Sequence, residues 1–147
     1  MDEIIPGLYL GDMNDAKTAP ADIVRVCVLE NCISKKWKKW HPYTIHIPIL
    51  VPDIEEPFGV VWYKASVPQL GMVARTIDFL LRDGQKVLVH CWASVERSPL
   101  AVAFYLHTAK RITLDEAYAF VESKHPLTQR RDKDWLRKPL STPGAIR

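Results

Sequence analysis

The chain has no apolar run approaching the ~18 residues of a membrane-spanning helix. Its opening, Met1-Asp2-Glu3-Ile4, lacks the basic and apolar regions of a secretory signal. A cytoplasmic protein without a membrane span is therefore expected. Cysteine is scarce: there are three, an odd number, which argues against a disulfide framework and for a reducing compartment. No grouping of His, Cys, Asp or Glu has metal-ligand spacing, so neither a metal nor another cofactor is expected. Repeats and low-complexity segments are also missing, and no composition shift marks a boundary. The 147 residues suit a single domain spanning 1–147, which would bury roughly two-thirds of its unfolded surface. A hydrophobic share of 48% and a charged share of 25% are ordinary for a soluble globular chain. The net charge of +3 suits anionic partners, but surface lysines alone would produce it.

One stretch organises what remains: Val87-Leu88-Val89-His90-Cys91-Trp92-Ala93-Ser94-Val95-Glu96-Arg97-Ser98-Pro99. It begins as a short apolar run rich in β-branched residues, which reads as a buried strand. The pattern breaks at His90-Cys91, and a helix-compatible pattern resumes after Arg97. A cysteine there faces the first turn of the next helix, where free amides and the helix dipole favour an anion. The same field favours thiolate over thiol. Five residues separate Cys91 from Arg97, enough for a loop whose N–H groups form a nest. A guanidinium closing that loop grips phosphate through two parallel hydrogen bonds. Nucleophile, amide cradle and bidentate clamp in one segment point to phosphoryl transfer.

The sequence His90-Cys91, five residues, Arg97-Ser98 resembles the signature of cysteine-dependent protein tyrosine phosphatases. With Val87-Leu88-Val89 before it and Pro99-Leu100-Ala101-Val102-Ala103-Phe104-Tyr105-Leu106 after it, it looks like the compact dual-specificity branch. The resemblance implies that Cys91 attacks phosphorus and that Trp92, Ala93, Ser94, Val95, Glu96 and Arg97 form the substrate-binding loop. It also implies that Ser98 eases breakdown of the phosphoenzyme and that His90 orders the loop. The substrates implied are phosphorylated proteins, handled by a monomer.

Earlier in the chain, Ile4 to Gly11 reads as a turn and short strand, and Asp12 to Lys17 as a small helix. The Gly7-Leu8-Tyr9-Leu10-Gly11 run is similar to the opening of the same family. Ile23 to Leu29 is an inner strand, with Cys27 in the core. In Lys35-Lys36-Trp37-Lys38-Lys39-Trp40-His41, basic residues interleave with aromatics. An amphipathic helix with solvated lysines is favoured there over a nucleic-acid surface. Tyr43 to Ile49 reads as another strand and Pro52 to Lys64 as a long loop. Ser66-Val67-Pro68-Gln69 is a capping box opening a helix with Leu70, Val73, Ile77, Leu80 and Leu81 on one face, stopped by Asp83-Gly84. Thr113-Leu114-Asp115-Glu116 opens another, with Ala117, Phe120 and Val121 inward, ending at Lys124-His125-Pro126. A last short helix falls within Arg130 to Arg137, and Leu140 to Arg147 is a tail. Alternating helices and inner strands give an α/β fold: a central, mainly parallel sheet with helices on both faces.

Three positions depart from the family pattern. The general acid is usually an aspartate two residues beyond the Ile-Pro-Ile strand; here that position is Val51, so Asp53 is the choice, with Glu55 and Glu56 as alternatives. Serine replaces the usual glycine at position 94, where a serine adopts the required backbone only with strain. Glu96 places a carboxylate beside a dianion site, which is tolerable only if its side chain points outward. Gln129 is a candidate for positioning the hydrolytic water, with a plain helix-preceding turn as the alternative, and Arg130 and Arg131 for added positive potential, with a solvated basic face as the default. These departures, with Lys35 to Trp40, keep two rivals open: an RNA 5′-end or phosphoinositide phosphatase with the same chemistry, and a non-catalytic phosphate-binding module.

Overall fold

The computed structural model describes residues 1–30, 44–53 and 62–136. A five-stranded sheet forms its centre, in the order β1 (Asp2–Ile5), β2 (Leu8–Gly11), β7 (Val87–His90), β3 (Val24–Cys27) and β4 (Thr44–His46). The β1–β2 pair is antiparallel, and the other three pairings are parallel. Strands β5 (Leu50–Asp53) and β6 (Trp62–Ala65) form a separate antiparallel pair. The helices are α1 (Met13–Thr18), α2 (Val67–Arg82), α3 (Arg97–Ala109), α4 (Leu114–Lys124) and α5 (Asp132–Trp135).

Register and pleat define the layers. Leu10, Val89 and Val26 stand side by side, as do Tyr9, Leu88 and Arg25. Successive side chains alternate between faces, so the two rows look in opposite directions. On the Arg25 face sits α1, and the buried guanidinium donates to the carbonyls of Ala16, Pro20 and Ile23 at 2.9, 2.8 and 2.7 Å, and to that of Ala19. A Cβ at Gly11 would meet the Asp15 side chain at 2.8 Å, so only glycine lets α1 close onto β2. The opposite row is fully buried, each side chain contributing about 1.5–3 kcal/mol. Helices α2 and α3 pack on β7 and α4 on β1, with α3 between α2 and α4, while α5 packs on β6. Helix α3 is buried from Ser98 to Thr108, as befits a helix that is apolar nearly all round. The expected architecture, a mainly parallel sheet with helices on both faces, is the one observed.

Local signals mostly have the predicted consequences. Thr113 and Glu116 form the full reciprocal capping box of α4. At Ser66 only half of the box forms: its Oγ accepts from the Gln69 amide at 3.3 Å, while Gln69 Nε2 donates to the Pro48 carbonyl at 3.1 Å. Gly84, at φ +78°, ends α2 and its amide returns to the Leu81 carbonyl.

Four expectations change. Phe120 is half-exposed and Tyr118 is buried in its place, because Ala117, Tyr118 and Val121 form the inward stripe of α4. The loop expected over Pro52 to Lys64 begins and ends as paired strand, with Asp53 opposite Trp62; Tyr63 and its neighbours favour extended backbone despite the missing periodicity. Of the strand expected over Tyr43 to Ile49, the described part, residues 44–49, is regular only at Thr44–His46. Cys27 is buried as expected but disulfide-bonded, since an odd count excludes complete pairing and not a single bridge. The segment Lys35 to His41, Cys32, Glu55, Glu56 and the tail from Leu140 lie outside the described residues.

Arg25→Met keeps the apolar stem but strips the donors from the carbonyls that close α1. Stability is expected to fall by about 2–4 kcal/mol, read as a lower urea midpoint at unchanged slope. A change below about 0.5 kcal/mol would show that water serves those carbonyls equally well.

Candidate active site

Because β7 lies between β2 and β3 and runs parallel to both, its C-terminal end opens at the centre of one sheet edge. Crevices beyond the carboxyl ends of parallel strands are where such sheets bind ligands. Cys91 follows immediately, nearly buried and with a free thiol. From there a loop runs to Glu96, and α3 begins at Arg97. The loop is held by its carbonyls. Those of His90, Trp92 and Val95 accept from the amides of Val28, Met13 and Gln129 at 3.1, 2.9 and 2.8 Å. The Ser94 carbonyl lies 2.6 Å from Nε2 of His125. Turning carbonyls outward frees the amides. Among the described residues, the N–H groups of residues 92–97 find no protein acceptor. Backbone donors are rarely left unmatched, and a cluster of them at a helix N-terminus is an anion cradle.

The Cys91 Sγ sits 3.3 Å from Ser98 Oγ, and Ser98 Oγ sits 3.2 Å from Ser94 Oγ. Ser98, in the first turn of α3, is fully buried, and Ser94 nearly so. Ser94 adopts φ +59°, the left-handed conformation that glycine reaches without strain and that costs another residue about 1–3 kcal/mol. Glu96 turns outward, where Arg131 Nη1 donates to its Oε1 at 3.3 Å. Arg97 Nε donates to Glu30 Oε1 at 2.7 Å. That bond fixes the guanidinium plane and leaves its Nη1 and Nη2 edge for an oxyanion.

The other sequence candidates fall in different places. His90 is fully buried, with Nδ1 3.2 Å from the Cys91 carbonyl oxygen. Trp92 is 66% exposed and Ala93 is exposed beside it, on the open side of the loop. Asp53 is buried at the end of β5. Gln129 has an exposed side chain and meets the loop through its backbone amide. Arg130 is committed elsewhere: it donates to Asp132 and Asp115, and the hydrogen bond with Asp132 pushes its pKa up. It therefore adds little free positive potential.

Three residues escaped the sequence reading: Glu30, Asp2 and the His125 side chain. Glu30 had a usable signal, since it follows β3, whose end is in register with that of β7 through Cys27 and His90. Asp2 and His125 lie 123 residues apart and no local pattern joins them.

Residues 8–137 match the family model of the dual specificity phosphatase catalytic domain. The chain belongs to that family. A probable dual specificity protein phosphatase of Dictyostelium discoideum is 28% identical over 130 residues, which cover 84% of this chain and 29% of the relative. Human dual specificity protein phosphatase 1 is 27% identical over 126 residues, covering 85% of this chain and 32% of the relative. The chain thus spans about a third of the length of these relatives. The crystal structure of Tk-PTP in the active form superposes with TM-score 0.67 at 26% identity, over 92% of this chain and 90% of that one. Human DUSP28 gives TM-score 0.70 at 19% identity, over 93% and 92%, a likeness of fold alone.

Glu30 acts on Arg97 in two ways, by orientation and by charge, and two substitutions separate them. Glu30→Gln keeps an acceptor for Nε and removes the negative charge, so inorganic phosphate should bind about three- to tenfold more tightly. Glu30→Ala also loses the guanidinium plane, and phosphate should bind several-fold more weakly. Calorimetric titration reads both, and a shift of the same sign in both variants would deny Glu30 the orienting role.

Proposed function

We propose that this chain is a catalytic domain that hydrolyses phosphomonoesters on protein tyrosine, with serine and threonine as further acceptable positions, through a cysteinyl-phosphate. The observation that supports it best is the set of loop amides around the buried Cys91 without acceptors among the described residues, closed by an Arg97 whose Nη edge meets no carboxylate among those residues. In this reading the Cys91 thiolate attacks phosphorus in line. The S–P bond forms as the P–O bond to the leaving group breaks, and an acid gives that oxygen its proton. Water then attacks phosphorus, loses its proton to the same carboxylate and restores the thiolate with release of phosphate. The three equatorial oxygens rest on the loop amides and on Arg97 in both steps, so the developing charge meets donors already in place. Ser98, 3.3 Å from the sulfur, donates to the thiolate as it leaves. Asp53 is our choice of acid, with Glu55 and Glu56 as the alternatives.

The rival substrates gain no support from the site. Glu96 is directed to Arg131, so its charge is offset outside the cradle and does not argue for a special phosphate. A monomeric, cytoplasmic protein remains part of the proposal, because a thiolate nucleophile must stay reduced even though Cys27 is bridged. No helix among the described residues is long and apolar enough to cross a membrane.

Hydrolysis of para-nitrophenyl phosphate across pH 4–8, with chelator present, tests the chemistry. Turnover should persist in chelator and fall by about three orders of magnitude or more in Cys91→Ser. A folded, reduced wild type without turnover would instead favour a phosphate-binding module. Asp53→Asn tests the acid. It should slow phenyl phosphate, whose leaving group needs the proton, by about 100-fold, and para-nitrophenyl phosphate by less than about tenfold. Equal small effects on both would remove Asp53 from the role.

A further inference from the structure

Behind the sulfur runs a continuous line of polar side chains. Cys91 Sγ, Ser98 Oγ and Ser94 Oγ are joined at 3.3 and 3.2 Å, and Ser94 Oγ lies 3.1 Å from His125 Nε2. On the far side of the ring, His125 Nδ1 lies 2.6 Å from Asp2 Oδ2. Ser94, Ser98 and His125 are all at least 97% buried, so these bonds do not compete with bulk water.

The partners fix the direction of the line. Nδ1 faces a carboxylate, and Nε2 faces the Ser94 carbonyl oxygen at 2.6 Å. Both are acceptors, so both ring nitrogens must carry hydrogen; a lone pair on Nε2 would meet the carbonyl lone pairs head-on. Protonated at both nitrogens, the ring offers no acceptor to the Ser94 hydroxyl. That hydroxyl proton is left for Ser98 Oγ, and the Ser98 proton for the sulfur. Every O–H then points towards Cys91 as a donor, and donors at the sulfur favour the thiolate. The same Nε2 contact holds the Ser94 carbonyl where φ +59° puts it.

We propose that His125, doubly protonated and held between Asp2 and the Ser94 carbonyl, is a positioning residue for the nucleophile. It pins Ser94 in the left-handed turn and orients the Ser94 and Ser98 hydroxyls as donors to the Cys91 sulfur. A glycine at position 94 would need no pin and carry no hydroxyl, so serine and histidine here form one device. This role rests on the reading of Cys91 as a thiolate nucleophile.

Three readouts test it. In wild type labelled with ¹⁵N-histidine, both ring nitrogens of His125 should resonate in the protonated range, with assignment by loss of the signal in His125→Gln. Alkylation of Cys91 by iodoacetamide at fixed pH should slow about tenfold in His125→Gln and about fivefold in Asp2→Asn, with kcat for para-nitrophenyl phosphate falling more than KM rises. In a Ser94→Gly background the His125→Gln change should cost less than about twofold, because pin and relay are both gone. A neutral ring in the wild type, or an equal cost of His125→Gln in both backgrounds, would overturn the role. If His125→Gln does not fold, the ¹⁵N spectrum of the wild type and the Asp2→Asn alkylation rate still decide. Absence of wild-type turnover would count against the phosphatase reading, and is distinguishable because alkylation and ring protonation are measured without it.

Discussion

A run of backbone amides left without acceptors among the described residues is the constraint around which this structure is arranged. Six successive residues cannot turn their N–H groups inward unless the matching carbonyls are held from outside. The holding groups come from three regions of the chain: Val28 after β3, Met13 opening α1, and His125 and Gln129 beyond α4, with His90, Trp92, Ser94 and Val95 as the receiving positions in that order. This explains why the fold is closed around β7. A central strand flanked in parallel on both sides brings the ends of its neighbours to the same edge as Cys91. Helix α3, buried along almost its whole length, holds the far end of the loop rigid. Preorganised donors stabilise charge without reorganising during the reaction, and that rigidity comes from the sheet.

The legible and illegible parts of this site divide by distance along the chain. Cys91, Arg97 and the strand before them are local, and their spacing alone is what points to phosphoryl transfer. Helix boundaries at Ser66, Gly84 and Thr113 were legible for the same reason, because caps act within a few residues. What the sequence concealed depends on tertiary placement. The direction of Glu96 is decided by Arg131, the Gln69 side chain is drawn to Pro48, and the inward residue of α4 is Tyr118 because of the helix's phase against α3. The hairpin at Asp53 lacked periodicity, and its strands show only through their pairing. The Asp2–His125 contact spans 123 positions, and no pattern in one sequence can reveal it.

Ser94 shows how a departure from a family pattern becomes intelligible once neighbours are seen. Taken alone, a serine at φ +59° is a strained residue in a place usually given to glycine. With His125 against its carbonyl, the conformation is determined by the surroundings, which is how such strain persists in folded proteins. The hydroxyl that glycine lacks then occupies the gap between His125 and Ser98, so a buried polar line is completed instead of interrupted. A buried hydroxyl without partners would be costly. Here it has both, which favours keeping serine and histidine together or losing both.

Charge around the cradle follows a single logic. Three carboxylates, from Asp2, Glu30 and Glu96, lie close to the loop proposed to hold a dianion, which they would ordinarily repel. Each is paired with a nitrogen donor: Asp2 with the His125 ring, Glu30 with Arg97 and Glu96 with Arg131. These pairs lie behind or beside the loop and orient its groups, so the carboxylates act as positioning devices. The attraction for phosphate then comes from donors whose partners are not carboxylates: the amides of residues 92–97 and the remaining edge of Arg97. Such a field is short-ranged and depends on geometry more than on net charge. In the proposed reading, discrimination by this cradle turns on how well three equatorial oxygens fit it, and Trp92 is exposed on the open side of the loop.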